Sequence, residues 1–484
     1  MPHRGAYRSL LGLACLAGCL SSATSSTAAQ DAPRPHIIHI VSDDQGWRDV
    51  GFHGSPDIRT PHLDKLAATG ARLERFYVTP LCTPTRAALL TGRYTFRYGL
   101  QSFVIPASGT YGLPTDERLL PQALKDAGYD TAALGKWHVG HADRKFWPLQ
   151  RGFDHHYGYL ASEIDYFTHE VVGVPDWWRD NEPIREEGYS TTLLGDEAAR
   201  IIRGHDPARP LYLYLAFNAP HSPYQAPREY LVRCADIADP TRRTYAAMIA
   251  AMDDQIGRVV EALDQSGMRE RTLILFHSDN GGLRNPKIAG QVPAEPVADN
   301  SPLRGGKGSL YEGGSRVVAL ANWPGRIGAG TTVDGLIHVV DLYPTLVTLA
   351  GGRLDGGKPL DGMDVWGAIN RGGPSPRTEV VYNIEPSAAA IRRGDWKLVW
   401  RVSLPSSAEL YNLADDPSET TDLAAKRPDE VAALQGRVRE LAADMVPPLF
   451  MPEAMNASLK LPPAFPTARE PRRADDPAKL SPTD

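Results

Sequence analysis

Three short apolar runs, each closing on polar residues, set the frame of this chain. His36-Ile37-Ile38-His39-Ile40-Val41 is rich in β-branched residues and stops at Ser42-Asp43-Asp44. The run from Leu211 to Phe217 stops before Asn218 and His221, and Thr272 to Phe276 stops before Ser278-Asp279-Asn280-Gly281. Continuous apolar runs of this length predict strands buried on both faces, as in a parallel sheet. Between them the period lengthens. Pro61 to Ala71 has a proline at its start and Gly70 near its end, and Tyr245 to Ser266 carries Met248, Met252, Ile256, Val259 and Leu263 at amphipathic spacing, so both are expected helices. Strands alternating with helices predict an α/β sheet covered on both faces. Polar residues gathered at strand ends lie where open α/β sheets place their sites.

The pattern changes near Gly372. Glu379 to Tyr382, Ala389 to Ile391, Trp396 to Trp400 and Glu409 to Tyr411 read as short strands joined by turns, ahead of a helix from Pro428 to about Met445. That order predicts a smaller α+β domain with an antiparallel sheet. The expected boundaries are 1–34 for a leader and linker, 35–372 for the main domain, 373–446 for the C-terminal subdomain and 447–484 for a Pro-rich tail, extended or disordered.

Composition narrows the class. With 484 residues, 42% of them hydrophobic, the chain has material for one large core and a smaller one. A net charge of -6 gives no field that would attract nucleic acid, so an anionic substrate must be drawn by a local basic pocket. Arg4 and Arg8 precede an apolar stretch from Leu10 to Leu20, too short to span a bilayer, which reads as an export signal. Leu16-Ala17-Gly18-Cys19 resembles a bacterial lipobox, with Cys19 as the lipidated first residue; cleavage after Ala29 is the alternative. Either route predicts an exported protein, periplasmic or anchored to the outer membrane of a bacterium through that lipid alone. Outside the leader only Cys82 and Cys234 remain, too few for a disulfide framework. Cys234 is expected to be a small buried apolar residue.

Adjacent carboxylates at Asp43 and Asp44 repel one another unless a cation lies between them. Asp279-Asn280 closes another strand in the same way. Oxygen donors without a Cys or His cluster suit calcium or magnesium better than zinc. Taken alone, either pair reads as readily as a solvated loop or a helix cap.

Far more specific is Cys82-Thr83-Pro84-Thr85-Arg86, followed by Thr91-Gly92-Arg93. Cys-x-Pro-x-Arg with Thr-Gly-Arg at this distance resembles the signature of the type I sulfatases. Asp43-Asp44, Gly135-Lys136-Trp137-His138-Val139-Gly140, Pro220-His221, Ser278 to Gly282 and Lys307 follow in that family's order. The resemblance runs from Pro35 to about Met445. It looks nearest to the arylsulfatase B-like (N-acetylgalactosamine-4-sulfatase-like) branch, through Pro80 to Pro84, Ser162 to Glu170 and Arg304-Gly305-Gly306-Lys307. Gln45 stands where Leu or Met is usual and Val139 where Leu is common; neither is a reacting group.

The resemblance implies an alkaline phosphatase-like fold, with a large central mixed sheet flanked by helices and a smaller C-terminal domain. It implies that a formylglycine-generating enzyme converts Cys82 to formylglycine before the chain folds. The hydrated aldehyde would attack sulfur with one oxygen and expel sulfate through the other. Asp43, Asp44, Asp279, Asn280 and the modified Cys82 would hold one calcium ion, which polarises a sulfate oxygen. Arg86 would steady the diol, and His138 would orient its second hydroxyl and act as base in release. Lys136, His221 and Lys307 would bind sulfate oxygens, with His221 or Lys307 protonating the leaving alcohol. Arg93 suits a structural tie as well as catalysis, and His169, His277 and Arg97 are candidate rim residues. The implied substrate is a sulfated carbohydrate, a galactosamine unit in the nearest branch, or an aryl sulfate. Residues 158–185 and 285–302 would select it; Tyr166, Trp177 and Trp178 suit sugar platforms and local packing equally. The competing classes are a phosphate or phosphonate ester hydrolase of the same fold and a non-catalytic sulfoglycan-binding protein.

Overall fold

A computed structural model describes residues 34–284 and 296–458; the leader with Cys19, most of the 285–302 loop and the end of the tail lie outside them. The three apolar runs become neighbours. His36–Ser42 pairs in parallel with Leu211–Ala216 on one side and with Thr272–Ser278 on the other. Asp130–Lys136 and His155–Tyr159 extend the parallel core beyond Leu211–Ala216. Antiparallel strands flank it, with Ala319–Asn322 beside Thr272–Ser278 and Trp178–Arg179 beside His155–Tyr159. The described residues thus form one 10-stranded mixed sheet, the alkaline phosphatase-like architecture.

Alternation along these strands builds two cores. Ile37, Val41, Tyr212, Tyr214, Leu273 and Leu275 share a core with Ala87 to Leu90 of the helix Cys82–Thr91 and with Leu342–Leu349. Ile38, Ile40, Leu213, Leu215, Ile274 and Phe276 share the other with the helices Pro61–Ala68, Ser190–Gly204 and Pro240–Gln265. Each fully buried aliphatic or aromatic side chain contributes roughly 1.5–3 kcal/mol of transfer free energy, an upper value. The long helix begins earlier than the expected Tyr245. Asp239 caps it by accepting from the Arg242 backbone N–H at 2.7 Å, and Pro240 occupies its first turn. The helix from Pro61 ends at Ala68 rather than Ala71, because Ala71–Leu73 is taken up as a strand beside Ala319–Asn322.

Glu379–Ile384, Ala388–Arg393, Trp396–Arg401 and Ser407–Asn412 form a separate antiparallel sheet in chain order. The helix Pro428–Ala442 buries Leu434, Val438 and Leu441 against the core that this sheet shares. The described part of the tail, up to Ser458, is neither extended throughout nor disordered. Val446 N–H donates to Phe96 O at 3.0 Å and Leu449 N–H to Gly99 O at 2.8 Å, after which Met451–Ser458 is helical. Among the described residues no helix is long and apolar enough to cross a membrane.

Candidate active site

The parallel strands deliver their polar ends to one place. Asp43 and Asp44 follow His36–Ser42, Lys136 ends Asp130–Lys136 with His138 just beyond, His221 follows Leu211–Ala216, and Asp279 and Asn280 follow Thr272–Ser278. Cys82 arrives from elsewhere, as the first residue of the helix Cys82–Thr91, every residue of which is buried. Arg86 sits one turn further along that helix, on the same face. Pro84 falls in the first turn, where a missing backbone N–H is tolerated.

Arg86 ties the centre together. Its Nε and Nη2 donate to Asp279 Oδ2 at 3.0 and 2.7 Å, and its Nη1 to Lys136 O at 3.1 Å. Lys136 Nζ donates to Asp43 Oδ2 at 2.6 Å, and Lys307 Nζ to Asp44 Oδ2 at 2.8 Å. Lys307 Nζ also lies 3.1 Å from His221 Nε2. Asn280 Nδ2 donates to Asp44 Oδ1 at 2.7 Å, and Thr83 Oγ1 to His138 O at 3.0 Å. The side chains of Lys136 and Asp43 are 0% exposed, whereas Lys307 and His221 reach 14% and 12%, so the centre opens on the Lys307–His221 side.

Two buried oxygens, Asp43 Oδ1 and Asn280 Oδ1, have no hydrogen-bond partner among the described residues. One ligand atom from each of Asp43, Asp44, Cys82 and His221 lies within 4.8 Å of the others. Open, buried acceptor oxygens are what a hard cation satisfies, so the donor set fits a divalent ion such as calcium. His221 joins this cluster, with Nε2 3.6 Å from Asp44 Oδ2, although sequence alone sets it among the sulfate-binding residues.

Burial pushes the Asp43 carboxyl up, but Lys136, His221 and Arg86 hold it below the usual carboxylate range; Lys307 and His221 do the same for Asp44. Burial pushes the Cys82 thiol up to about 12, against the pull of Lys136 and Lys307. A plain cysteine here stays protonated and is a poor nucleophile. Burial, with Lys136 and Arg86 nearby, holds His138 well below the ordinary imidazole value, so its ring is neutral. Its Nε2 lies 3.0 Å from Ile105 O. A carbonyl only accepts, so Nε2 carries the hydrogen. Nδ1, buried and unpartnered among the described residues, keeps a free lone pair.

Several expected rim residues lie elsewhere. His277 is buried against His39, with Nε2 atoms 2.9 Å apart, and His169 is buried against Trp177. Arg97 is paired with Asp361 and Asp444, and Arg93 Nη1 with Glu117 at 2.9 Å, both structural ties. Tyr166 and Trp177 are buried and cannot stack on a sugar, and Trp178 packs on Trp147. Cys234 is half-buried beside Ile237, not fully buried. Three supporting contacts are not assigned this role by sequence alone. They are Ile105 O on His138, Glu163 Oε2 at 3.7 Å from His221 Nδ1, and Tyr166 OH donating to the carbonyls of Asn218 and His221 at 2.6 and 2.8 Å.

The C-terminal sheet reaches the centre through the segment that carries Lys307. Lys397 is buried between Glu312 and Glu419, 3.2 and 2.7 Å away, and Glu419 Oε2 accepts from Glu312 N–H at 2.7 Å. Glu312 opens the short helix Glu312–Ser315 that follows Lys307.

A cradle of carboxylates and cations at the carboxyl ends of such a sheet defines an ester hydrolase of the alkaline phosphatase-like fold. The chain belongs to the type I sulfatase family: the sulfatase family model matches residues 35–352, and the activity is hydrolysis of sulfuric esters. Arylsulfatase J of Mus musculus is 35% identical over 88% of this chain and 79% of its own length. N-acetylgalactosamine-6-sulfatase of Rattus norvegicus is 34% identical over 71% of this chain and 67% of its own. The crystal structure of Ps i-CgsB in complex with k-i-k-neocarrahexaose superposes with a TM-score of 0.79 at 34% identity, covering 90% of this chain and 99% of that one.

Proposed function

We propose that this sulfatase acts on sulfate esters of a sulfated glycan, through formylglycine made from Cys82 and with one calcium ion held by Asp43, Asp44, Asp279, Asn280 and residue 82. The observation that carries the reading is the setting of Cys82, whose sulfur shares a 4.8 Å cluster with ligand atoms of Asp43, Asp44 and His221 at the head of a wholly buried helix. Relatives named as N-acetylgalactosamine-6-sulfatases, and a structural neighbour solved with neocarrahexaose, support a sulfate carried on sugar. The N-terminal export signal makes a periplasmic or lipid-anchored location part of the same reading.

Calcium, when bound, supplies Lewis-acid polarisation of a sulfate oxygen. Formylglycine, hydrated, supplies one hydroxyl that attacks sulfur and a second that later expels sulfate. The remaining work falls to the chain. Arg86 holds a fixed positive charge beside residue 82 and keeps Asp279 oriented. Lys136 and Lys307 bring ammonium groups to the cluster from its Asp43 and Asp44 sides, where they can bind sulfate oxygens. His138 Nδ1 is the free base that accepts a proton as sulfate is released. His221 Nδ1 lies 2.6 Å from Ser222 O and so carries the hydrogen, leaving Nε2 to accept from Lys307. The Lys307–His221 pair, on the open side of the centre, is the source of the proton for the leaving alcohol.

The test is production alongside a formylglycine-generating enzyme, mass spectrometry of the Cys82 peptide and turnover of matched aryl esters. Conversion at Cys82, faster cleavage of sulfate than of phosphate, and loss of activity in Cys82→Ala are expected. Full turnover with an unmodified thiol, or faster phosphate cleavage, would overturn the reading. A panel of defined sulfated oligosaccharides then identifies the sugar.

A further inference from the structure

Beside the segment that carries Lys307 lies a cavity of about 400 Å³, with Arg284, Arg304 and Glu419 in its wall beside Ser301, Ser418 and Thr420. We infer that it is a subsite for a second anionic group, a sulfate or carboxylate on the sugar adjoining the one that loses its sulfate. The inference rests on the glycan reading above.

The cavity is built from the same two segments that bring Lys307 to the centre. Lys307 N–H donates to Gly282 O at 3.3 Å. The segments pack so closely that a Cβ on Gly306 would meet Arg284 Cγ at 3.4 Å. The wall and the Lys307 backbone thus belong to one packed framework.

The wall is prepared for a negative charge. Arg304 is already ordered: its guanidinium lies 3.8 Å from the Tyr311 ring centre, and its Nη1 donates to Tyr411 OH at 2.9 Å and to Glu419 O at 2.8 Å. Its Nε and Nη2 make no hydrogen bond among the described residues. Arg284 is exposed, and its side chain makes no hydrogen bond or ion pair among the described residues. The acids of this region also have other partners. The Glu419 carboxylate bonds Lys397 and Glu312 N–H, while Glu409, 3.9 Å from Arg304 Nη1, accepts from Tyr311, Tyr411 and Arg401. Two guanidiniums with unused N–H groups suit a sulfate or a carboxylate by paired hydrogen bonds. In a chain of net charge -6 such a local basic wall also supplies attraction that the overall field does not.

The test uses the full-length modified enzyme, Arg284→Gln and Arg284→Lys. Substrates are a small aryl sulfate, an oligosaccharide bearing one sulfate, and the same oligosaccharide with a second sulfate or a carboxylate on the adjoining sugar. Arg284→Gln is expected to raise KM about fivefold for the doubly anionic oligosaccharides, the size of a solvent-exposed ion pair. Its kcat, and its kinetics on the two singly sulfated substrates, stay unchanged. Arg284→Lys recovers part of the loss, and added salt removes the difference. Equal KM shifts on singly and doubly anionic substrates, or none on any, would overturn the inference. Whether the sulfate or the carboxylate arm responds more strongly identifies the group bound. Calorimetric titration of the same oligosaccharides reads the subsite without turnover. A wild-type protein that hydrolyses none of them, yet binds the doubly anionic one about fivefold more tightly than Arg284→Gln does, would refute the glycan-hydrolysis reading and leave the subsite standing.

Discussion

At position 86 the shape of the side chain matters as much as its charge. One guanidinium makes two bonds to Asp279 Oδ2 and a third, in a different direction, to Lys136 O. A lysine keeps the charge but not the three directions, so Arg86→Lys leaves a buried carboxylate or carbonyl short of a donor. Breaking a buried pair in this way costs about 3 kcal/mol. The expected result is a Tm lower by several degrees in a thermal melt, with kcat on an aryl sulfate falling about 100-fold as Asp279 and residue 82 lose their alignment. The identities of such residues were legible in the sequence because their chemistry demands particular side chains at fixed spacing. The groups that orient them were not: Ile105 holds His138 through a backbone carbonyl, which any residue could supply. Loop aromatics stayed undecided for the opposite reason. Tyr166 and Trp177 have the chemistry of sugar platforms, but whether an aromatic is exposed depends on what packs over it.

Periodicity found the strands with β-branched or large apolar residues and missed Asp130–Lys136, whose Ala132, Ala133 and Gly135 look like weak strand formers. Gly135 reads as a breaker, yet the sheet requires it. It has φ +89°, and a Cβ there would lie 1.9 Å from Ala216 O on the neighbouring strand. The helix Pro61–Ala68 shows a similar long-range dependence at its start. Its Thr60 N-cap makes no side-chain capping bond to the first turn, and Asp253, on the long helix, accepts from the His62 and Leu63 N–H groups at 3.0 and 2.8 Å. Burial pushes the Asp253 carboxyl up from 3.8 to about 7, against those two backbone bonds. The unfolded chain releases this proton near 3.8 while the folded chain holds it until about 7, so folding takes up a proton between those values. This contribution to stability is complete below 3.8 and is lost as the pH rises through 7. Relative to Asp253→Asn, which cannot ionise, the wild type is expected to lose about 3 °C of Tm between pH 5 and pH 8. Parallel pH dependences in the two proteins would show that Asp253 is ionised throughout.

Across the whole molecule, the tail is where composition and tertiary contact disagree most. Its prolines suggested an extended or disordered end, but the hydrogen bonds that hold its described part join residues far apart in sequence, a class of contact that local pattern cannot reveal. Gln101 Nε2 donates to Val446 O at 2.9 Å, Leu449 N–H bonds Gly99 O, and Thr110 N–H donates to Glu453 at 2.7 Å. Phe450 lies edge-on to Phe103, with ring centres 4.7 Å apart. These four anchors lie between Gly99 and Thr110, just after the Phe96 carbonyl that accepts from Val446, and within that span Ile105 receives the His138 ring hydrogen while its own N–H donates to Thr83 Oγ1 at 3.1 Å. The tail therefore braces the loop that sets the His138 tautomer, from the opposite end of the sequence. Two truncations separate bracing from bulk. Removing residues 459–484 is expected to leave kcat and KM on an aryl sulfate unchanged. Removing everything from Val446 onward frees the 99–110 loop, and kcat is expected to fall about tenfold with KM little altered, because the sulfate-binding lysines sit on other segments. A longer truncation that lowered Tm but kept full kcat would mean that the loop holds His138 without help from the tail.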